Sequence, residues 1–218
     1  MIVLSGKKRS GKDTAAAIMR EEGMKTYALA DPIKVALFCA FKNNNRHMTF
    51  DALNGINTDR EAVLPLDTNT IRLILVDAVM HEIHQMEIVD SVKVLNNVLP
   101  VIAEQMAPFS IRKFMQVFGT DIMCMNVSKK YWLAYTKDLS EDTVITDCRQ
   151  PWEEEFFREK NSDFVFIEGA YPGFKESTDN HITELGLTPK EGDKVVINKD
   201  INEFTKEIKE YVRTRTTG

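Results

Sequence analysis

The sequence predicts an α/β fold, a three-layer domain built on a parallel five-stranded sheet with a helical insertion. Short apolar runs with strand character alternate with segments of helical periodicity, which is the pattern of a parallel sheet covered by helices. A glycine-rich loop follows the first apolar run, and an Asp-x-Arg sequence follows a later one. Both lie where parallel sheets place their chemistry, at the carboxyl ends of strands.

The first strand is predicted at residues 1–4, and residues 6–12 after it have the spacing G-x-x-x-x-G-K. Two glycines let the backbone curl so that N–H groups point at phosphate oxygens, and the following helix adds its positive N-terminus. Lys12 is expected to neutralise the phosphates of a nucleotide. The next position, commonly a Ser or Thr ligand to magnesium, is Asp13, and the hydroxyl comes one residue later in Thr14.

The composition predicts an ordinary soluble globular protein of the cytoplasm. Of 218 residues, 43% are apolar and 28% are charged, and no apolar run reaches the roughly 18 residues of a membrane helix. No signal peptide is visible, and three cysteines without paired spacing fit a reducing compartment. A net charge of -5 gives no general reason to expect a nucleic-acid partner. We therefore expect small-molecule partners, with no membrane and no polynucleotide.

The remaining elements are expected in an alternating order along the chain. Further strands are predicted at residues 26–30, 143–146, 164–167 and 194–197, and helices at 31–41, 111–117, 151–160 and 201–212. Gly119 suits a C-terminal cap for the second of these helices. The domain division expected is a core of residues 1–41 and 110–218 with a helical insertion at 42–109, and a lid-like segment at about 169–187.

Candidate site residues follow the third predicted strand. Asp147 could hold magnesium directly or through water, and Arg149 could clamp a phosphate. Glu153 lies on the same side in the next helix. Elsewhere, Arg112 and Lys113 place two cations near a turn, and Trp132 is either a core residue or a flat wall for a base.

Beyond these residues, the chain resembles the deoxynucleoside monophosphate kinases of T-even-type bacteriophages, relatives of the adenylate-kinase-like P-loop kinases. The motifs run in the family's order over nearly the full length. The resemblance rests on Leu4-Ser5-Gly6 through Lys12-Asp13-Thr14, Ala30-Asp31-Pro32-Ile33-Lys34, Asp59-Arg60-Glu61, Arg112-Lys113-Phe114-Met115-Gln116, Gly119-Thr120-Asp121, Tyr131-Trp132, Asp147-Cys148-Arg149-Gln150 and His181-Ile182-Thr183-Glu184.

The resemblance implies a P-loop kinase fold and an enzyme that moves the γ-phosphoryl of ATP to deoxynucleoside 5′-monophosphates, with Mg2+, for viral DNA synthesis in the host cytoplasm. The residues expected at ATP are Gly6, Ser10, Gly11, Lys12, Asp13, Thr14 and Asn198. Those expected at the acceptor are Arg112, Lys113, Gln116, Gly119, Thr120, Trp132, Asp147, Arg149 and Glu153. The metal is assigned to Asp13, Thr14 and Asp147, and catalysis to Arg9, Lys12, Asp13, Asp147 and Arg149.

One departure from the adenylate-kinase pattern and two alternatives bear on these assignments. Residues 169–187 contain no arginine, only Lys175 and His181, so the expected catalytic cations are Arg9 and Arg149. One alternative is a P-loop kinase of another small phosphorylated acceptor, such as phosphomevalonate. The other is a nucleotide-gated ATPase or regulatory binding module. The sequence leaves open which bases are accepted and whether the chain forms a homodimer.

Overall fold

The computed structural model describes residues 1–86, 90–172, 174 and 181–216. Its sheet consists of β1 (Ile2–Ser5), β2 (Lys25–Tyr27), β3 (Thr143–Ile145), β4 (Asp163–Gly169) and β5 (Lys194–Asn198). The strand order is β2-β3-β1-β4-β5, and every pairing is parallel. In the register of the central strand, Val3 lies opposite Ile145 on one side and Phe164 on the other. The prediction of a parallel five-stranded sheet in an α/β fold is confirmed.

The helices are α1 (Lys12–Glu21), α2 (Asp31–Asn43), α3 (Phe50–Asn54), α4 (Thr68–Gln85), α5 (Ser91–Ala103), α6 (Ile111–Gln116), α7 (Pro151–Glu159), α8 (Ile182–Leu185) and α9 (Ile201–Thr216). The first helix begins after the glycine-containing loop that follows β1, and α2 to α6 follow one another between β2 and β3. A π-helix at Val117–Cys124 continues α6, and a 3-10 helix spans Trp132–Thr136. In the part of the chain that the structure describes, no helix is both long enough and apolar enough to cross a lipid bilayer.

The chain divides into two compact units, residues 1–29 with 136–218 and residues 30–135. The first unit contains the sheet, and its core joins α1 and α9 to the strands through buried residues such as Leu4, Met19, Val165 and Ile208. The second unit is helical and contains α2 to α6. The insertion boundaries expected from the sequence, at 41/42 and 109/110, stay a prediction.

The second strand is shorter than the sequence indicates. It was expected to reach Ala30 but ends at Tyr27. The strand ends there because the Leu29 N–H donates to Asp147 Oδ1 at 2.6 Å instead of to a neighbouring strand. The chain then enters α2 at Asp31, with Pro32 in its first turn.

The prediction that Gly119 caps a helix is wrong, because the helix continues through it as a π-helix to Cys124. The φ of Gly119 does not lie in the left-handed region. Glycine is needed for a different reason, since a Cβ atom there would lie 2.6 Å from Ile33 Cδ1. The residue therefore permits close packing of two helices within the second unit.

Candidate active site

The loop between β1 and α1 has a backbone that only glycine fits at two positions. Gly6 has φ +145°, and a Cβ there would lie 2.3 Å from the carbonyl oxygen of Ile167. Gly11 has φ +108°, and its Cβ would lie 2.4 Å from Asn198 Nδ2. Both the left-handed conformation and the close neighbours exclude a side chain. The tight curl that phosphate binding requires is thus built into this loop.

Neighbouring elements brace the outer part of the loop. Asn198, at the end of β5, donates from Nδ2 to the Ser10 carbonyl at 3.0 Å. Tyr171 donates its hydroxyl to the carbonyl of Arg9 at 2.7 Å, and Arg9 itself has φ +64°. The Ser10 hydroxyl is fully buried, with no hydrogen-bond partner among the described residues. These contacts fix the carbonyls on the protein side of the loop.

Lys12 lies beneath the loop and is 6% exposed. Its Nζ donates to the carbonyls of Gly6 at 2.7 Å and Lys7 at 2.6 Å. Burial, followed by the nearby Arg149 guanidinium, lowers the pKa of Lys12 to about 8. Its neighbours Asp13 and Thr14, in the first turn of α1, are exposed. The loop therefore combines an enclosed cation with an accessible carboxylate and hydroxyl.

The segment after β3 is organised by two carboxylates. Asp147 accepts the N–H of Leu29, which links the carboxyl ends of β3 and β2. Glu153 Oε2 accepts the backbone N–H groups of Arg149 at 2.8 Å and Gln150 at 3.0 Å, and it belongs to the capping box of α7. Burial raises the pKa of Glu153 to about 7. Glu153 thus holds the backbone from which Arg149 extends.

The guanidinium of Arg149 has a partner that sequence reasoning missed. Its Nη1 donates to Glu184 Oε1 at 2.9 Å and to the carbonyl of Thr183 at 3.5 Å. The Glu184 side chain is only 1% exposed. The available signal was the motif at residues 181–184, to which no role was assigned. His181 caps α8, accepting the N–H of Thr183.

The first unit brings together the residues expected at the donor nucleotide and at the reacting phosphates. The charges of Asp13, Asp147, Arg149 and Glu184 all act on Lys12, so these groups share one neighbourhood. A cavity of about 280 Å³ opens beside the loop, lined in part by Gly6, Lys7 and Pro189. Of the expected lid, residues 173 and 175–180, including Lys175, lie outside the described residues. The expected set in this unit is Gly6, Arg9, Ser10, Gly11, Lys12, Asp13, Thr14, Asp147, Arg149, Glu153 and Asn198.

Of the residues expected at the acceptor, Asp147, Arg149 and Glu153 belong to the first unit, and the others lie in the helical unit, on α6, the π-helix and the 3-10 helix. Arg112 forms an ion pair with Glu61, which joins α6 to the loop before α4. Lys113 donates to the carbonyl of Pro108 at 3.1 Å and lies 4.3 Å from the centre of the Phe109 ring. Gln116 ends α6 and is half-buried.

Trp132 is a packed residue in this structure. It is 4% exposed, and its indole N–H donates to the carbonyl of Gly119 at 2.8 Å. The Phe118 and Tyr131 rings lie 5.7 Å and 4.9 Å from it, both edge-on. Thr120 is likewise buried. The packing explains the fixed orientation of the indole, and the role of Trp132 as a wall for a base stays a prediction.

The sequence profile of the deoxynucleotide monophosphate kinase family matches residues 1–208. The chain belongs to this family. It is 30% identical to the deoxynucleotide monophosphate kinase of Escherichia phage RB69, with 98% of this chain and 99% of the relative covered. It is 33% identical to the enzyme of the same name from Enterobacteria phage T4, with 91% of this chain and 92% of the relative covered.

Membership of the deoxynucleotide monophosphate kinase family confirms the family and the kind of enzyme expected from the motifs. It also agrees with the α/β architecture, in which the loop between β1 and α1 occupies the phosphate-binding position. The roles of individual site residues rest on their geometry and stay predictions.

Proposed function

We propose that this protein transfers the γ-phosphoryl group of ATP to deoxynucleoside 5′-monophosphates and so makes diphosphates for viral DNA synthesis. The observation that carries the proposal is the placement of Lys12 under a glycine-shaped loop, with Arg149 close enough to lower its pKa. The names of the phage relatives support the acceptor class. Lys12, Arg149 and the curled backbone of the loop suit a polyphosphate, because they can neutralise the negative charge that develops as the phosphoryl group is transferred.

On the donor side, the backbone N–H groups of the loop and the N-terminus of α1 bind the phosphates. Lys12 exchanges its contacts with the Gly6 and Lys7 carbonyls for oxygens of the β- and γ-phosphates. Asn198 and Tyr171 keep the carbonyls of Ser10 and Arg9 turned away from the anion. The exposed side chain of Arg9 adds positive charge to the loop.

Magnesium fits the oxygen donors at the start of α1 and the end of β3. Mg2+ in phosphoryl-transfer sites is held by one or two carboxylates together with the substrate phosphates. Such oxygens are present in Asp13, Thr14 and Asp147. Among the described residues, no group of three or more His, Cys, Asp or Glu side chains forms a metal site without the substrate. The ion would neutralise phosphate charge when it is bound.

The reaction needs alignment more than a strong base. An oxygen of the acceptor phosphate attacks the γ-phosphorus, and the bond from that phosphorus to the β–γ bridging oxygen breaks, leaving ADP with the electron pair. The acceptor phosphate carries most of its second negative charge at neutral pH. Arg149 neutralises charge on the phosphates, and Glu153 supports it through its backbone N–H.

As part of the same proposal, we assign a share of acceptor recognition to residues of the helical unit. Arg112 and Lys113 supply positive charge, Gln116 and Thr120 supply hydrogen-bonding groups, and Gly119 with Trp132 shapes the wall. The partners are nucleotides, without nucleic acid or membrane. The site of action is the host cytoplasm, and a homodimer is compatible with the proposal.

The test is an ATP-coupled assay across all deoxy- and ribonucleoside monophosphates. Deoxynucleoside monophosphates should accelerate ADP release, and the absence of acceleration by any of them would refute the kinase proposal. Turnover of ATP without an acceptor would instead support a nucleotide-gated ATPase. Activity only on another phosphorylated acceptor, such as phosphomevalonate, would support the alternative kinase.

Two substitutions test the site within this assay. Lys12→Ala and Arg149→Ala should each lower kcat by about a hundredfold or more, because each removes a charge contact made in the transition state. The matched control is Lys209→Ala, which removes a lysine of the same unit that pairs with Glu21 on α1. Wild-type rates in either site variant would show that the site is misplaced.

A further inference from the structure

Arg149 is held at two points by two different buried carboxylates. Glu153 accepts its backbone N–H, and Glu184 accepts its guanidinium through Nη1. We propose that Glu184 is a positioning residue that aims the Arg149 guanidinium at the transferring phosphate. This inference rests on the proposed function and assigns a role to a residue for which the motif alone suggested none.

Glu184 and Arg149 differ in burial, and this difference indicates which of the two residues can contact a ligand. The Glu184 side chain is 1% exposed, whereas that of Arg149 is 27% exposed. A carboxylate this deeply buried is not accessible to a ligand. Its partner reaches the surface and keeps part of its guanidinium accessible. Glu184 therefore acts through Arg149 and does not contact the substrate.

The hydrogen-bonding pattern of the guanidinium supports the same conclusion. In the described part of the chain, Nη1 of Arg149 contacts Glu184 and Thr183, and the structure gives no hydrogen-bond partner to Nε or Nη2. A guanidinium is a planar fork of five N–H donors that binds phosphate oxygens in pairs. With Nη1 engaged, the Nε and Nη2 donors keep a fixed orientation and remain available to a phosphate.

Glu184 is placed by a short element with defined ends. The backbone N–H of Glu184 donates to the carbonyl of His181 at 2.8 Å, and His181 caps α8 at its N-terminus. Gly186, with φ +77°, terminates the helix. The carbonyl of Thr183 and the carboxylate of Glu184 thus approach Arg149 from the same turn. One turn of helix supplies both acceptors for Nη1.

The charge of Glu184 also suits its place between two cations. Lys12 and Arg149 lie near enough to repel each other, and the negative charge of Glu184 acts on Lys12 in the opposite sense. A buried ion pair of this kind contributes little net stability, because removing two charges from water offsets their attraction. The fixed orientation of Arg149 is the benefit that remains.

The test is a double-mutant cycle with Glu184→Gln, Arg149→Ala and the combined variant. Glu184→Gln keeps the size of the side chain and removes its charge. We expect kcat to fall by about ten- to a hundredfold, the scale of a small misplacement of a catalytic group, with KM for both nucleotides nearly unchanged. In the Arg149→Ala background, the same substitution should change kcat by less than about twofold, since its target is absent.

The control removes an equivalent ion pair of the same unit. Asp193 is 5% exposed in its side chain and contacts Arg158 at 2.6 Å. Asp193→Asn should lower thermal stability and leave kcat at the wild-type value. Equal losses of kcat from Glu184→Gln in the wild-type and Arg149→Ala backgrounds would overturn the proposal, as would wild-type kcat in Glu184→Gln. Glu184→Asp, which keeps the charge but shortens the reach, should give an intermediate loss and serves if Glu184→Gln does not fold.

A second readout does not depend on the proposed function. The side-chain Nε–H signal of Arg149 in NMR, assigned by its loss in Arg149→Lys, should report a restrained guanidinium in the wild type and a mobile one in Glu184→Gln. Unchanged mobility would overturn the positioning role. If no acceptor is phosphorylated but the Arg149 signal responds to Glu184→Gln, the proposed function fails while the contact stands.

Discussion

Replacing Gly11 with alanine is the sharpest test of how the phosphate-binding loop is built. Alanine at this position must adopt φ +108° and place its Cβ 2.4 Å from Asn198 Nδ2. Two atoms cannot approach this closely without a bond between them. The Asn198 amide must therefore move away from the Ser10 carbonyl, which it now contacts at 3.0 Å. The substitution therefore combines backbone strain with the loss of a brace.

The magnitude follows from these two contributions. A non-glycine residue in the left-handed region costs about 1–2 kcal/mol. Loss of a typical hydrogen bond adds about 1 kcal/mol. Gly11→Ala should therefore lower the free energy of unfolding by about 2–3 kcal/mol. Gly23→Ala is the matched control, because Gly23 lies in the same unit with φ +93°, and no atom of the described residues would lie within 4 Å of a Cβ there.

The assay is urea unfolding followed by circular dichroism. Gly23→Ala should cost only the strain contribution, and Gly11→Ala about 1 kcal/mol more. Any effect of alanine on the unfolded chain is shared by both variants and cancels in the comparison. In an Asn198→Ala background, Gly11→Ala should cost no more than Gly23→Ala does. Equal costs of Gly11→Ala and Gly23→Ala in the wild-type background would refute the reasoning.

Two further predictions concern pH. Glu153, with its pKa raised by burial to about 7, favours folding when protonated, so the free energy of unfolding of the wild type should fall relative to Glu153→Gln as the pH rises from about 4.5 to about 7. Urea unfolding at a series of pH values should show a difference of about 3 kcal/mol, and a pH-independent difference would contradict the assignment. Lys12, with its pKa lowered to about 8, should lose its charge above that pH, so ATP affinity measured by calorimetry should fall as the pH rises through 8. Lys12→Arg stays charged and should bind ATP without this decline, whereas a flat wild-type profile would contradict the lowered pKa.

The elements of the sheet and the position of the loop could be predicted because they depend on local patterns. The run Ile2-Val3-Leu4 followed by Gly6 and Gly11 carries its own periodicity and turn chemistry. Asp147 and Arg149 were expected at the site by the same logic, since they directly follow a short apolar run. In each case, the residues that decide the structure are close neighbours along the chain.

Asn198 was expected at ATP, but the contacts that support the site could not be predicted because the partners lie far apart in sequence. Glu184 is 35 residues from Arg149, and Asn198 is 188 residues from Ser10. Nothing in the local pattern of either residue distinguishes a buried brace from a surface polar group. The prediction for Gly119 was wrong for a related reason. Glycine is required there because of the close approach of Ile33, and not because of a turn.

The contacts of the two principal cations give them different parts in the proposed reaction. Lys12 is held by the carbonyls of Gly6 and Lys7, and it must release them to reach a phosphate. Among the described residues, Arg149 contacts Glu184 and Thr183 through Nη1, so it can keep those contacts while its other N–H groups bind phosphate. Phosphate oxygens can replace the carbonyls because they are equivalent acceptors with more charge. In the proposed reaction, Lys12 is therefore the cation that moves with the transferred charge, and Arg149 is the fixed cation against which the phosphates are aligned.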